Sequence, residues 1–183
     1  MRVRLARPED GDALAAIYAP WVAETAVSFE AEPPSGEEMA GRVASTLPSH
    51  PWLVMDAEQG VIGYAYAHRF HERAAYDWSV ETSIYLGTDA RGRGVGRQLY
   101  TALLGILRAQ GFQRAIGGIA LPNPASVRLH ESFGFRAVGV YRRVGWKFGE
   151  WHDVGMWELD LQRDGAPPGT LITVDALPGG LLG

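Results

Sequence analysis

The stretch "LGTDARGRGVGRQLY", residues 86–100, places four glycines and three arginines at the start of a predicted helix. A glycine-rich turn before a helix leaves several backbone N–H groups unpaired at the positive end of the helix dipole. Bare glycines let a phosphate approach the backbone closely, and arginines add charge-assisted hydrogen bonds. The stretch therefore predicts a phosphate-binding loop. A tight turn with solvated arginines is the alternative that these residues leave open.

Two common phosphate-binding loops do not match this stretch. Its second glycine is not followed by Lys and then Ser or Thr, so it is not the loop of a nucleoside triphosphatase. The predicted strands before it are antiparallel, which disfavours a dinucleotide-binding fold. We therefore expect a phosphate ligand of another kind.

The residues before the loop predict two helices and an antiparallel meander. Ser35 and Glu38 have the spacing of a capping box, which marks the start of the second helix. In chain order the pattern predicts a strand in "MRVRLAR" (1–7), a helix over 14–22, a helix over 35–48, two strands in 52–70 around the turn "AEQG", and a strand in "YDWSVETSIYL" (76–86).

The residues after the loop alternate between helices and strands. We expect a helix from Val95 to about Gly111, a strand in 112–121, a helix over 124–133, and strands in 135–145 and 151–161. The chain is then one α/β domain over residues 1–163. Residues 164–183 are rich in Gly and Pro with little periodicity, and we expect a mobile tail there.

Composition narrows the possible functions. The 183 residues are 46% apolar and 21% charged, which is typical of a globular domain with a sizeable core. The net charge is −4 and the arginines are dispersed, so we expect no nucleic-acid partner. The absence of cysteine excludes disulfides, thiolate metal sites and cysteine nucleophiles. The N-terminus has no signal peptide or apolar span, so we expect a cytoplasmic protein without a membrane partner.

Two blocks of sequence resemble the GNAT superfamily of acetyl-CoA-dependent N-acetyltransferases. Arg91, Gly94 and Gly96 match that family's diphosphate loop, and "NPASVRLHESFGF" (123–135) matches its following helix and strand. The segments "AAYDWSVETSIYL" (74–86) and "GWKFGEWHDVGMWELDL" (145–161) resemble, more narrowly, the phosphinothricin and methionine sulfoximine N-acetyltransferase group. The resemblance covers roughly residues 2 to 161.

This resemblance implies a fold and a co-substrate. The fold is a mixed, mostly antiparallel central sheet with a splay between two central strands and helices on both faces. The pantetheine arm of acetyl-CoA inserts at the splay, and no metal is required. The residues that the resemblance assigns to acetyl-CoA are Ile84, Tyr85, Leu86, Arg91, Gly92, Arg93, Gly94, Val95, Gly96, Asn123 and Ser126.

Two residues are candidates for proton transfer. Acetylation of an ammonium requires a base, and Glu81 alternates with Ser79 and Ser83 along a strand otherwise rich in apolar residues. A carboxylate on a solvated strand face is the alternative for Glu81. His130 lies where many superfamily members carry a tyrosine thought to protonate the departing thiolate. Histidine can give or accept a proton near neutral pH, so the direction of transfer at His130 stays open.

The acceptor side has four candidate residues. Arg73 and Tyr76 precede the strand that carries Glu81, and an arginine suits a carboxylate or phosphinate. Phe29 and His152 match substrate-side positions of the resembling enzymes, although both also suit packing. His68 and His71 lack an accompanying ligand cluster, so we interpret them as loop residues rather than as a metal site.

The expected reaction is direct transfer of acetyl to the α-amine of a small amino-acid-like acceptor of the phosphinothricin, methionine sulfoximine or methionine sulfone type. The resembling enzymes pair through their C-terminal strands and complete the substrate pocket there, so we expect a homodimer. An acetyltransferase for protein N-termini or polyamines, or a non-catalytic acetyl-CoA sensor, is the alternative.

Overall fold

Seven strands form one sheet in the computed structural model, which describes residues 1–162 and 167–177. The strands are β1 (Arg2–Leu5), β2 (Trp52–Ala57), β3 (Gly60–Arg69), β4 (Ser79–Leu86), β5 (Arg114–Leu121), β6 (Arg136–Lys147) and β7 (Glu150–Asp160). Their order is β1-β2-β3-β4-β5-β7-β6, and only β4 and β5 run parallel. The predicted mixed, mostly antiparallel sheet is confirmed.

In the part of the chain that the structure describes, four α-helices flank the sheet: α1 (Gly11–Glu24), α2 (Gly36–Thr46), α3 (Val95–Gln110) and α4 (Pro124–Ser132). The predicted capping box starts α2, because the Ser35 hydroxyl accepts from the Glu38 N–H at 3.2 Å and the Ser35 N–H donates to the Glu38 carboxylate at 2.7 Å. Gly111 ends α3 in the left-handed region at φ +95°, which glycine adopts without strain.

Strand alternation sends side chains to two separate cores. On one face, Leu14 of α1 and Met39 of α2 pack in one cluster with Tyr64 of β3. On the other face, Leu103 of α3 packs in a second cluster with Ala65, the next residue of β3. The expectation of helices on both faces is therefore confirmed.

The sheet splays between its two parallel strands. Only three pairs join β4 to β5, and they run from Ser79–Arg114 to Glu81–Ile116. β4 stays paired with β3 as far as Leu86, and β5 stays paired with β7 as far as Leu121. The two strands thus diverge after Glu81, as the resemblance implies.

The C-terminal segment differs from its prediction. The Ile172 N–H donates to the Gln110 carbonyl at 2.9 Å, and the Gln110 amide donates back to the Ile172 carbonyl at 2.9 Å. The Trp78 indole donates to the Gly169 carbonyl at 2.8 Å, and Leu171 packs against the core. The expected mobile tail is therefore wrong for residues 167–177, which dock on the end of α3. The predicted domain boundary at 163/164 lies outside the described residues.

Among the described residues, no helix combines the length and the apolar character that crossing a membrane requires.

Candidate active site

A cleft of about 250 Å³ opens where β4 and β5 diverge. At the branch point the Thr82 hydroxyl donates to the Ile116 carbonyl at 3.2 Å. Beyond it, the backbone of Thr82–Leu86 has no partner in β5, so its edge is available to an extended ligand with amide groups. The cleft is lined by these residues of the predicted site: Ile84, Tyr85, Leu86, Arg91, Gly92, Asn123, Ser126 and His130.

The loop between β4 and α3 has the properties of an anion site. Gly92 and Gly94 have φ values of +72° and +77°, where other residues are strained. Within the described chain, the backbone N–H groups of Gly92, Arg93 and Gly94 have no hydrogen-bond partner. α3 has no side-chain cap and no acidic residue in its first turn, so the positive end of its dipole is not neutralised. These features fit a diphosphate.

The loop residues differ in which atoms they offer. Arg91 and Arg93 are exposed, so their guanidinium groups can reach a ligand. Val95 is fully buried in the core. A Cβ at Gly96 would lie 3.5 Å from Ile84 Cδ1 and from Leu129 Cδ2. Val95 and Gly96 can therefore offer a ligand backbone N–H groups and no side chain.

The start of α4 forms another part of the cleft wall. Asn123 is its N-cap, and its side-chain carbonyl accepts from the Ser126 N–H at 3.1 Å. That bond uses the Asn123 oxygen and leaves its NH₂ group as a donor. Asn123 and Ser126 both line the cleft, and their contact with acetyl-CoA stays a prediction.

His130 is buried on the α4 side of the sheet and has a partner at each ring nitrogen. Its Nδ1 lies 2.8 Å from the Ser126 carbonyl oxygen, and its Nε2 lies 2.9 Å from the Tyr100 hydroxyl. Because a carbonyl only accepts, Nδ1 carries the proton and Nε2 is an acceptor. The Tyr100 hydroxyl has one proton and two acceptors within reach, His130 Nε2 and, at 3.3 Å, Thr82 Oγ1, and we assign the proton to the shorter contact with Nε2. The side chains of His130 and Tyr100 both line the cleft.

Burial decides the charge of this pair. Desolvation lowers the pKa of His130 below its ordinary value, and the hydrogen bond to the Ser126 carbonyl only partly offsets it. Burial also raises the pKa of Tyr100, so its hydroxyl stays protonated. At neutral pH the pair is uncharged and holds one proton between Tyr100 Oη and His130 Nε2.

Glu81 lies on the opposite face of the sheet. Val80 and Thr82 are buried against α3, whereas Glu81 is half-buried and points away from α3. Within the described residues its carboxylate has no hydrogen bond or ion pair, in contrast to Glu158, which pairs with Arg114 at 2.9 Å. A carboxylate without a partner beside a cleft is free to accept a proton.

Two adjacent glycines of β5 separate these candidates. A Cβ at Gly117 would lie 2.8 Å from His130 Nε2, and a Cβ at Gly118 would lie 3.2 Å from Glu81 Oε1. Successive residues of a strand face opposite sides. The glycine pair therefore makes room for His130 on one face and for Glu81 on the other.

Comparison with known proteins identifies the family. The family model described as an acetyltransferase (GNAT) domain matches residues 3–157. The chain belongs to the GNAT acetyltransferase family. It is accordingly an acetyl-CoA-dependent acetyltransferase, and the open strand edge and the glycine loop are elements that fit this co-substrate.

Named relatives cover nearly the whole GNAT chain. A phosphinothricin N-acetyltransferase of Streptomyces viridochromogenes is 39% identical over 168 residues, which cover 92% of this chain and 91% of that protein. An L-methionine sulfoximine/L-methionine sulfone acetyltransferase of Salmonella typhimurium is 32% identical over 91% of this chain and 98% of that protein. The structure of a phosphinothricin acetyltransferase from Sinorhizobium meliloti in complex with AcCoA has a TM-score of 0.88 and 36% identity, and covers 96% of each chain.

The residues predicted for the acceptor side of this GNAT domain fall in two places. Phe29 contacts the β6–β7 hairpin, because a Cβ at Gly145 would overlap its ring, and its ring lies 6.1 Å from that of His152. Arg73 and Tyr76 lie in the exposed connection between β3 and β4. Within the described residues the Arg73 side chain has no ion pair.

Three residues that lie at or beside the candidate site were missed or misplaced by the sequence analysis. His68 is not a loop residue: it lies in β3 directly opposite Glu81, because the strand alternation of Tyr64 and Tyr66 continues through it. Tyr100 lies on the apolar, buried face of α3. Its hydroxyl group on that face was the only sequence signal that it needs a polar partner, which the fold provides as His130. Trp21 sits on α1, and no local pattern predicts its contact with the loop.

No group of three or more His, Asp or Glu side chains that could hold a metal occurs in residues 1–162 and 167–177.

Proposed function

We propose that this enzyme transfers acetyl from acetyl-CoA to the α-amine of a small amino-acid-like acceptor that carries an anionic or oxygen-rich group, such as phosphinothricin, methionine sulfoximine or methionine sulfone. The observation that carries the proposal is the Glu81 carboxylate, which faces Gly118 without a partner at the point where the sheet splays. The names of the relatives support the acceptor class.

The chain offers acetyl-CoA two binding elements. The Gly92 and Gly94 amides, with Arg91 beside them, form a cradle for the diphosphate. The edge of β4 from Thr82 to Leu86, which has no partner in β5, runs away from this cradle along the cleft and suits the pantetheine arm. When bound, the co-substrate supplies an acetyl group activated as a thioester.

Glu81 is proposed to be the base. An acceptor ammonium loses a proton to a Glu81 carboxylate oxygen, so that one N–H bond breaks, one O–H bond forms, and the nitrogen lone pair becomes available for attack. The chain has no cysteine to carry an acetyl group, which leaves direct transfer to the amine as the route. His130 and Tyr100 form the polar element on the other face of the cleft, and we assign this pair to the thioester side.

Arg73 is proposed to bind the anionic group of the acceptor. Its exposed guanidinium lies on the connection that leads into β4, where Tyr76 offers a hydroxyl. The nearby Arg69 is occupied, because it pairs with Asp77 at 3.0 Å. A guanidinium with free donors suits a carboxylate or phosphinate, which it can contact through two parallel hydrogen bonds.

The test is thiol release from acetyl-CoA against phosphinothricin, methionine sulfone, a decarboxylated analogue, a polyamine and a peptide with a free N-terminus. We expect turnover of the first two. Arg73→Ala should raise KM for them and leave both acetyl-CoA binding and the slow rate of the decarboxylated analogue unchanged, and Arg73→Lys should restore activity only in part. Preference for the polyamine or the peptide, or unchanged constants in Arg73→Ala, would contradict the acceptor assignment.

We also propose a homodimer formed through the β6–β7 hairpin. The hairpin carries an apolar strip of exposed side chains, defined as Val138, Val140, Tyr141, Val144, Trp146, Phe148 and Trp151. β6 is an edge strand, and an edge with so many exposed apolar groups is typical of a surface covered by another chain. Phe29 packs on Gly145 of the same hairpin, so a second copy there would border the acceptor side.

Light scattering after size exclusion tests the dimer. Trp146→Glu should shift the mass toward the monomer and raise KM for the acceptor. Ile172→Glu is the matched control, because Ile172 is also an exposed apolar residue but lies in the C-terminal segment. A monomeric wild-type protein would contradict the proposal.

A cytoplasmic location is proposed on one ground, the dependence on acetyl-CoA, which is a cytoplasmic metabolite. Cell fractionation with an antibody to the chain tests it.

A further inference from the structure

We infer that Trp21 is a positioning residue that holds Arg91 ready for the diphosphate of acetyl-CoA. The Arg91 guanidinium carbon lies 4.3 Å from the centroid of the Trp21 ring, within the range of a cation–π contact. Both side chains line the cleft at the end where β4 meets the glycine loop. The inference rests on the proposed role of Arg91 in cofactor binding.

Stacking is a contact that orients an arginine without using its hydrogen-bond donors. The N–H groups of a guanidinium lie in its plane, whereas the indole touches its face. Within the described residues the Arg91 side chain has no hydrogen bond and no ion pair, so its donors stay free. Arg93, two residues on, instead donates to the Asp89 carbonyl at 3.3 Å. Arg91 is therefore the loop arginine that is both held in place and unpaired.

Trp21 is itself fixed by a second contact. Its indole N–H donates to the carbonyl of Leu86 at 3.2 Å, the last residue of β4. Its ring also meets the edge of Tyr85 at 6.3 Å between centroids. One side chain of α1 thus joins the end of the splayed strand to the first arginine of the loop.

The physical consequence concerns the entropy of binding. An exposed arginine loses rotamer freedom when it grips a ligand, and a contact that restricts it beforehand reduces that loss. A cation–π contact at a partly exposed position corresponds to roughly a three- to tenfold change in affinity. Trp21 should therefore tighten the binding of ligands that carry the diphosphate more than the binding of ligands that lack it.

Calorimetric titration with CoA, alongside kinetics with acetyl-CoA and with S-acetylpantetheine, tests this. S-acetylpantetheine keeps the arm and the thioester but lacks the diphosphate. In Trp21→Leu we expect the Kd for CoA and the KM for acetyl-CoA to rise about three- to tenfold. We expect a smaller loss in kcat/KM for S-acetylpantetheine, whose arm shares only the β4 edge with Trp21. Trp21→Phe retains a ring face for stacking and should show a smaller change. Thermal unfolding of both variants checks that α1 remains packed.

The variant Arg91→Met and the double variant Trp21→Leu with Arg91→Met test whether Trp21 acts on CoA binding through Arg91. If Trp21 acts through Arg91, adding Trp21→Leu to Arg91→Met should weaken CoA binding no further. Additive losses, or an equal loss with S-acetylpantetheine, would overturn the inference and leave the proposed cofactor loop standing. No change in the Kd of CoA in Arg91→Met would instead refute the proposed role of the loop arginine itself.

Discussion

The two faces of β5 at Gly117 and Gly118 carry the two halves of the candidate chemistry in opposite environments. Behind Gly117, His130 is 3% exposed, has a partner at each ring nitrogen and is neutral because burial lowers its pKa. In front of Gly118, Glu81 is half-buried and has no hydrogen bond or ion pair within the described residues. His130 is therefore a buried polar group with its hydrogen bonds satisfied, whereas Glu81 is a partly exposed polar group without a partner.

This contrast has a thermodynamic consequence. A buried group with satisfied hydrogen bonds contributes to stability, and its removal leaves unsatisfied partners, which is costly. A carboxylate with no partner contributes little to stability and can be substituted cheaply. Changes on the Glu81 face should therefore affect activity alone, and changes on the His130 face should affect activity and folding together.

Glu81→Gln gives the largest expected effect on activity. The amide is nearly isosteric but does not accept a proton, so kcat at neutral pH should fall roughly ten- to ten-thousand-fold, as for other positioned bases. The midpoint of thermal unfolding should stay within experimental error of the wild type. Glu58→Gln, in the exposed turn between β2 and β3, is the control for loss of a carboxylate. If Glu81→Gln lowered the unfolding midpoint and kept kcat, Glu81 would stabilise the fold and would not be the base.

Replacing Gly117 and Gly118 by alanine, one at a time, compares the two faces of β5 directly. In Gly117→Ala the new Cβ overlaps the His130 ring, which Tyr100 and Ser126 hold in place, and we expect a loss of about 1–3 kcal/mol in the free energy of unfolding. In Gly118→Ala the Cβ is tight only against the end of the Glu81 side chain at 3.2 Å, which can move, and Met156 Sδ at 3.7 Å is in ordinary contact. Its stability should be nearly unchanged. Denaturant unfolding and kcat of both variants measure the difference, and equal losses would contradict it.

The strands and helices follow from local patterns in the sequence. Ser35 with Glu38 predicts the start of α2, and Gly111 predicts the end of α3, because each cap depends on residues a few positions apart. The polar face of β4 is likewise visible in the alternation of Ser79, Glu81 and Ser83. The glycines and arginines of residues 86–100 likewise predict a phosphate-binding loop. The splay and the identity of the ligand as acetyl-CoA were predicted through the family resemblance, which links two blocks that local pattern alone does not connect.

What escaped prediction depends on contacts between distant parts of the chain. Trp21 and Arg91 are separated by 70 positions and meet only because α1 lies across the end of β4. Tyr100 looks like one more core residue of α3 until the fold brings it to His130 on α4. The docking of the C-terminal segment depends on hydrogen bonds with Gln110 and Trp78, which its Gly and Pro content conceals.

The smallest expected effect lies in the pH dependence of stability. The folded-state pKa of His130 is lowered, so between the ordinary histidine value and the folded value the unfolded chain binds more protons than the native one. Stability therefore falls as the pH drops from 7 toward 5. His130→Gln removes this contribution, and its curve of unfolding midpoint against pH should be flatter than that of the wild type over this range.

His50→Gln is the control for the general effect that a buried histidine has on the pH dependence of stability. Burial lowers the pKa of His50 to about 4, and its ring stacks on Phe112 away from the splay, so His50→Gln should flatten the same curve. Only the substitution at His130 should also reduce kcat, because only His130 lines the cleft with Tyr100. If His130→Gln left the slope unchanged, the pKa of His130 would be the same in the folded and the unfolded chain, and burial would not be lowering it. The assignment of a pair that stays neutral over this pH range to the thioester side would then fail.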